Sequence, residues 1–177
     1  LKVWRPADAV ETAAAWVTAV EDRAAPSALI LSRQNLPVLP HAADALAMVQ
    51  RGAYILKDCS GTPEAIIMGT GSETHLALAA AEILAQEGRR IRVVSMPCAE
   101  IFAAQNAAYQ ESVLPAAVCA RVAVEAAHVD WWRKYVGLDG RVVGMSTFGE
   151  SAPGNVLYDY FKITVAAVLA ATREVLK

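Results

Sequence analysis

The stretch that decides the fold is Ala65-Ile66-Ile67-Met68-Gly69-Thr70-Gly71-Ser72-Glu73-Thr74-His75. Its first four residues are apolar with no polar alternation, a pattern typical of a strand buried on both faces of a sheet. The polar residues that follow predict a helix start, with Ser72 as the N-cap and an acidic residue in the first turn. Gly88 predicts the end of that helix, because glycine readily adopts the left-handed conformation required there.

Working outward, the alternation of strand and helix continues to the end of the chain. Further apolar segments predict short strands at residues 54–57, 91–96, 118–125 and 141–145. Helices are predicted at residues 99–105, 107–113, 129–135, 153–161 and 164–176. This order of elements predicts an α/β fold, a three-layer α/β/α domain with five strands.

The first part of the chain has the pattern of an incomplete sheet. Residues 1–4 and 28–31 are predicted strands, and between them Asp8 predicts a capped helix with Glu11 three positions later. Strand, helix and strand in this order form a βαβ unit with two parallel strands. This unit cannot bury its apolar faces alone, so we expect it to be the edge of a truncated parallel-sheet domain. The leucine at position 1 favours the same interpretation, a chain cut from a longer one.

Residues 36–51 separate these two patterns. Pro37 and Pro40 stiffen the segment, and residues 42–49 are predicted to form a short helix. We interpret the segment as a linker between domains, with a defined path over the surface. The first residues of the chain are expected to lean on this linker or on a neighbouring molecule.

The composition excludes several classes of function. A formal net charge of −2 and a pI near 5.9 give no positive field for binding nucleic acid. Hydrophobic residues make up 55% of the chain, with a mean hydropathy of +0.32, but the richest apolar run, residues 165–171, is too short to span a membrane. Three cysteines without a CxxC pair are typical of reduced thiols in a cytoplasmic protein. The three histidines show no zinc-ligand spacing with these cysteines.

Arg33 is the residue with the most direct link to chemistry. It follows the predicted strand 28–31 in the cluster Ser32-Arg33-Gln34-Asn35. Open α/β sheets bind ligands at the carboxyl ends of their strands, and a guanidinium can hold a phosphate with two hydrogen bonds. The alternative is a surface ion-pair residue, which the composition alone favours.

Three other motifs have a structural and a functional interpretation. Residues 69–75 lie where a nucleotide-binding loop would lie, but the third glycine of that motif is missing and an acid is present, which favours a plain turn. His128 near Asp130 suits a general base, but no nucleophile pairs with it, which favours a helix start. Ser151, before Pro153, predicts a second helix cap in a turn that also contributes to an interface.

Taken in order, many short stretches resemble the C-terminal part of transketolases. They include the Ser32-Arg33-Gln34 and Thr70-Gly71-Ser72-Glu73 motifs. The matching stretches are residues 4–8, 31–37, 54–59, 65–73, 92–97, 111–115, 121–126 and 147–153. Each stretch is weak evidence alone, but the ordered set runs nearly from end to end and is specific.

The resemblance implies an enzyme that uses thiamine diphosphate and Mg²⁺ or Ca²⁺ to move a two-carbon ketol unit from a ketose phosphate to an aldose phosphate. It implies a cytoplasmic homodimer without nucleic-acid or membrane partners. Residues 1–40 would be the tail of the pyrimidine-binding middle domain, residues 41–53 a linker, and residues 54–177 the C-terminal domain. In this family the C-terminal sheet has five mostly parallel strands, with the first antiparallel, so strand 54–57 is predicted to be that strand.

For the site residues, the resemblance implies a substrate role for Arg33 only, as the ligand of the sugar phosphate. The cofactor, the metal and the catalytic groups would be held by parts of the protein outside this sequence, so the chain alone is expected to be inactive. Three alternatives remain: a non-catalytic module for dimerisation or regulation, the related dihydroxyacetone synthase, and a small nucleotide-binding domain that uses residues 69–75.

Overall fold

The computed structural model describes all 177 residues, and it contains two separate sheets. The seven strands are β1 (Lys2–Trp4), β2 (Ser27–Leu29), β3 (Tyr54–Lys57), β4 (Ala65–Gly69), β5 (Ile91–Ser95), β6 (Arg121–His128) and β7 (Arg141–Met145). The eight α-helices are α1 (Ala9–Glu21), α2 (Ala45–Val49), α3 (Thr74–Gln86), α4 (Ala99–Ala103), α5 (Ala107–Val113), α6 (Arg133–Val136), α7 (Gly154–Tyr160) and α8 (Val165–Val175).

The larger sheet has the strand order β3-β5-β4-β6-β7. Strand β3 runs antiparallel to β5, and every other pair is parallel, which confirms the predicted mostly parallel sheet with an antiparallel first strand. The central strand β4 is buried along its whole length, as its unbroken apolar sequence predicts. Strand β6 begins three residues later than predicted, at Arg121, and continues to His128.

Helices cover both faces of this sheet and form the predicted three layers. On one face, α3 and α8 bury small and branched side chains against Ile67, Val93 and Val122. On the other face, α4, α5 and α6 bury aromatic side chains against Ile66 and Met68. Because neighbouring side chains of a strand point to opposite faces, the consecutive apolar residues of β4 supply both cores.

The two predicted serine caps are wrong. A single 3₁₀ turn, Gly71–Glu73, precedes α3, and the Ser72 hydroxyl donates to the Glu73 carboxylate instead of capping the helix. Helix α7 begins only after Pro153, so Ser151 lies too far from the first turn to accept its N–H groups. Gly69 is required at the first of these turns, because a Cβ there would lie 2.7 Å from the Cα of Thr74.

The smaller sheet consists of β1 and β2, which pair in parallel as the βαβ pattern predicts. Strand β2 ends at Leu29, two residues earlier than expected, so Ile30 and Leu31 already belong to an exposed loop. Asp8 caps α1 as predicted, and its Oδ1 accepts hydrogen bonds from the N–H groups of Val10 and Glu11 at 3.0 Å. This cap fixes the direction in which the chain enters the helix.

Residues 1–40, hereafter the N-terminal segment, pack on α2 and on the carboxyl edge of the larger sheet. Trp4 is fully buried together with Val49 of α2 and Tyr54 of β3, so of the two expected supports, residues 36–51 or a neighbouring molecule, the structure shows contact with the former. The backbone of Arg5 bonds the sheet directly: its N–H donates to Pro97 O at 2.7 Å, and its carbonyl accepts from Gly71 N at 2.9 Å.

Glu11 is the most buried acid of this contact, with 0% exposure. Its Oε1 accepts from the hydroxyl groups of Tyr54 at 2.8 Å and Ser95 at 2.5 Å, and its Oε2 accepts from Ala7 N at 2.6 Å. Burial raises the pKa of Glu11, against the opposing effect of these three donors. One side chain of α1 thus joins the N-terminal segment to two strands of the larger sheet.

Replacing Glu11 with alanine should destabilise the fold by about 2–4 kcal/mol, because it leaves two buried hydroxyl groups and one buried N–H without their acceptor. Equilibrium unfolding in urea measures the change. Glu21→Ala, on the exposed end of the same helix, is the matched control and should change stability by less than ~0.5 kcal/mol. Equal effects of the two substitutions would contradict the importance of this joint.

Candidate functional site

A cleft of about 360 Å³ lies between the loop after β2 and helix α7. The loop contributes Leu31, Ser32, Arg33 and Gln34. The opposite side is formed by the segment from Gly149 through α7 to Ile163, which includes Glu150 and Tyr158. The cleft is therefore built from two parts of the chain that are far apart in sequence, and it opens to solvent.

The side chain of Arg33 is exposed and lines this cleft. It takes part in none of the ion pairs within the chain, so the structure does not show it as a surface ion-pair residue. A guanidinium without an internal acidic partner keeps all five of its donors available for a ligand. The geometry is compatible with anion binding at this position.

Glu73, a buried acid at the start of α3, bonds to three residues that line the cleft. Its Oε2 accepts from Ala126 N at 3.0 Å, and its Oε1 accepts from the hydroxyl groups of Ser72 and Tyr158. Burial and the neighbouring charge of Glu73 raise the pKa of Tyr158 to about 12, so this phenol stays protonated at neutral pH. The acid is fully occupied by protein donors and is not free to act on a substrate.

The turn at residues 69–75 does not form a phosphate cradle. The Gly71 N–H already donates to the carbonyl of Arg5, and the acidic side chain of Glu73 lies in the same turn, where it disfavours a second negative charge. Nδ1 of His75 contacts the carbonyl of Ser72, which closes the turn. The interpretation of this motif as a structural turn is confirmed, and its geometry argues against the nucleotide-binding alternative.

Arg5 supplies the countercharge for a second buried acid at the same edge, Glu125. Its Nε lies 3.2 Å from Glu125 Oε1, and Trp132 Nε1 donates to Glu125 Oε2 at 2.8 Å. Burial raises the pKa of Glu125, while the charge of Arg5 acts in the opposite direction.

The neighbouring residues Trp131 and Trp132 cannot share one face of a helix, so one is expected in the core and the other at the surface. Trp132 is fully buried, whereas Trp131 is 41% exposed, which confirms this expectation.

Arg5→Ala should destabilise the protein by about 1–3 kcal/mol near neutral pH, because it leaves Glu125 buried without its cation. Since burial holds the folded pKa of Glu125 above its ordinary value of 4.5, this acid contributes stability that is lost as the pH rises through the folded pKa. Removing Arg5 raises that pKa further. The loss of stability should therefore be larger at about pH 8 than at about pH 5.

Urea unfolding at the two pH values measures this difference. Arg5→Lys keeps the charge and should behave more like the unchanged protein, and Arg23→Ala, an exposed arginine of the same segment, is the matched control. A loss of stability that does not depend on pH would show that Arg5 acts through packing alone.

His128 caps the short 3₁₀ turn Val129–Trp132, with its Nδ1 accepting from Asp130 N at 3.4 Å. No serine or cysteine side chain bonds to it, so its interpretation as a helix-start residue is confirmed.

No three His, Cys, Asp or Glu side chains lie close enough to hold a metal ion. The His, Cys, Asp and Glu side chains of this chain therefore offer no donor set for a metal ion. None of the helices has the length and apolar character needed to cross a membrane.

Comparison with known families identifies both parts of the chain. The family described as "Transketolase-like TK C-terminal domain" matches residues 52–164, and "Transketolase, pyrimidine binding domain" matches residues 1–38. The chain belongs to the transketolase family. The resemblance found in the sequence is thereby confirmed.

Individual relatives agree with this assignment. Over 176 residues, which are 99% of this chain and 26% of each relative, it is 55% identical to Transketolase 1 of Escherichia coli (strain K12) and 53% identical to Transketolase 1 of Vibrio vulnificus (strain YJ016). The solved transketolase from Leishmania mexicana is 43% identical with a TM-score of 0.89, over 99% of this chain and 25% of that one. The chain thus spans about a quarter of the length of the transketolases it matches.

The sequence singled out Arg33 as a candidate ligand-binding residue, but it did not indicate that Tyr158 lies in the same cleft. The prediction of Arg33 came from its place after a strand and from its motif. Tyr158 lines the cleft and bonds to Glu73, 85 positions away in the sequence, and neither residue carries a local pattern that indicates such a contact. Arg5 lies in the matching stretch 4–8, but nothing in the sequence indicated its ion pair with Glu125.

Proposed function

We propose that this chain forms the C-terminal quarter of an enzyme that transfers a two-carbon ketol unit from a ketose phosphate to an aldose phosphate with thiamine diphosphate. Identities of 53–55% to bacterial transketolases, over nearly the whole chain, support the assignment. We further propose that residues 1–40 end the pyrimidine-binding domain, residues 41–53 are the linker, and residues 54–177 form the C-terminal domain.

In this proposal the chemistry is completed by parts of the protein outside this sequence. Thiamine diphosphate supplies the electron sink for breaking and forming the carbon–carbon bond. Because this chain offers no set of side chains for the Mg²⁺ or Ca²⁺ ion that would accompany the cofactor, other parts would hold both, and residues 1–177 alone would be inactive. We place the whole enzyme in the cytoplasm as a homodimer, with dimer contacts contributed in part by this chain.

The role that we assign to this chain is binding of the substrate phosphate by Arg33. The observation that carries the proposal is the exposed guanidinium, without an acidic partner, in a cleft at the carboxyl end of β2. A planar fork of donors suits a phosphate, which it can bind bidentately. A solved transketolase from Pichia stipitis, 35% identical with a TM-score of 0.88, is in complex with sedoheptulose-7-phosphate, which supports a sugar phosphate as the ligand.

In the full-length enzyme, Arg33→Ala should raise KM for fructose 6-phosphate on the order of 10- to 100-fold, because it removes a charge-assisted contact of about 1.5–3 kcal/mol. KM for fructose, which lacks the phosphate, should stay within about twofold, since it never makes this contact. Steady-state kinetics with both donors measures the difference.

Arg23→Ala is the matched control, because Arg23 is also exposed and lies in the same segment but outside the cleft. It should leave both KM values unchanged. If Arg33→Ala raised KM equally for the two donors, the proposal that Arg33 binds the phosphate would be wrong.

A further inference from the structure

The loop that carries Arg33 has few attachments to the rest of the protein. On one side Ile30 N donates to Trp4 O at 2.8 Å, and on the other Leu39 N donates to Asp8 Oδ2 at 2.9 Å. Between these anchors, residues 31–38 form a single hydrogen bond, from Gln34 Nε2 to the hydroxyl oxygen of Tyr158 at 3.4 Å. Nearly all side chains of this span are exposed, so packing contributes little to holding it.

Tyr158 is well placed to serve as that attachment. It is half-buried on α7, and its hydroxyl proton is directed to the Glu73 carboxylate, which leaves the oxygen lone pairs for Gln34. Glu73 is itself fixed by Ala126 N in β6. The loop is therefore connected, through one phenol and one carboxylate, to the backbone of the larger sheet.

We propose that Tyr158 is a positioning residue for substrate phosphate, which acts by holding the loop 31–38 in the conformation that directs Arg33 into the cleft. The proposal rests on the proposed function of Arg33. Its physical basis is preorganisation: a loop that is already ordered loses less conformational entropy when the ligand binds. Tyr158 itself need not touch the substrate.

The protonation state of Tyr158 is consistent with this role. Its pKa, raised to about 12 by burial and by the charge of Glu73, keeps the hydroxyl protonated over the whole range in which the enzyme would be assayed. A protonated phenol can donate to Glu73 and accept from Gln34 at the same time. Phenylalanine has the same shape without this double function.

Tyr158→Phe in the full-length enzyme tests the proposal. The substitution removes the bond to Glu73 and the neutral bond to Gln34, and loss of the latter should raise KM for fructose 6-phosphate by roughly three- to tenfold, while kcat and KM for fructose stay within about twofold. Tyr160→Phe is the matched control on the same helix, because Tyr160 is 65% exposed and forms no side-chain hydrogen bond. It should leave all these constants unchanged.

A double-mutant cycle with Gln34→Ala tests the connection between the two side chains. If Tyr158 acts through Gln34, the two substitutions remove the same contact, and the double variant should be no worse for fructose 6-phosphate than the more impaired single variant. Independent effects that multiply would overturn the proposed route from Tyr158 to the loop.

Two further outcomes separate this inference from the function on which it rests. If Arg33→Ala selectively raises KM for the phosphorylated donor but Tyr158→Phe leaves it unchanged, or raises KM for both donors alike, the positioning role is overturned and the phosphate role stands. If Arg33→Ala shows no selectivity for the phosphorylated donor, the phosphate role is overturned, and the positioning role is overturned with it.

Discussion

The burial of the Glu11 carboxylate is the constraint on which the arrangement of this chain depends. Its oxygens are removed from water and rely on donors from three separate places, Ala7, Tyr54 and Ser95. A buried acid is very unfavourable unless all such donors are in place, so α1 can rest against the larger sheet in one orientation only. The orientation of α1 in turn determines where the loop after β2 lies on the surface.

One consequence concerns the carboxyl edge of the larger sheet. Open α/β sheets bind ligands at this edge, but here the backbone of Arg5 bonds to residues 71 and 97 and its side chain faces Glu125. The edge is therefore used for contact between two parts of the chain. The cleft suited to a ligand lies beside it, where the loop after β2 meets α7.

Sequence patterns predicted those features that depend on neighbouring residues. The apolar run of β4, the cap at Asp8 and the order of elements were all predicted, and the resemblance to transketolases added the antiparallel direction of β3. The predicted helix caps at Ser72 and Ser151 were wrong, because serine is common in turns as well as at helix caps, and its local hydrogen bonds can serve either. Sequence patterns also missed the Glu11–Ser95 and Gln34–Tyr158 contacts, because these join residues 84 and 124 positions apart and depend on how the elements pack.

The charged side chains of the N-terminal segment differ in how many partners they have within the chain. Asp8 and Glu11 are buried, and each has hydrogen-bond partners on both carboxylate oxygens. Arg33, in the same segment, is exposed and has no acidic partner. An exposed guanidinium needs no internal partner, so what distinguishes Arg33 from the likewise exposed Arg23 is its place in the cleft. For this reason we assign stability to residues 5–11 and propose substrate binding for the loop that follows β2.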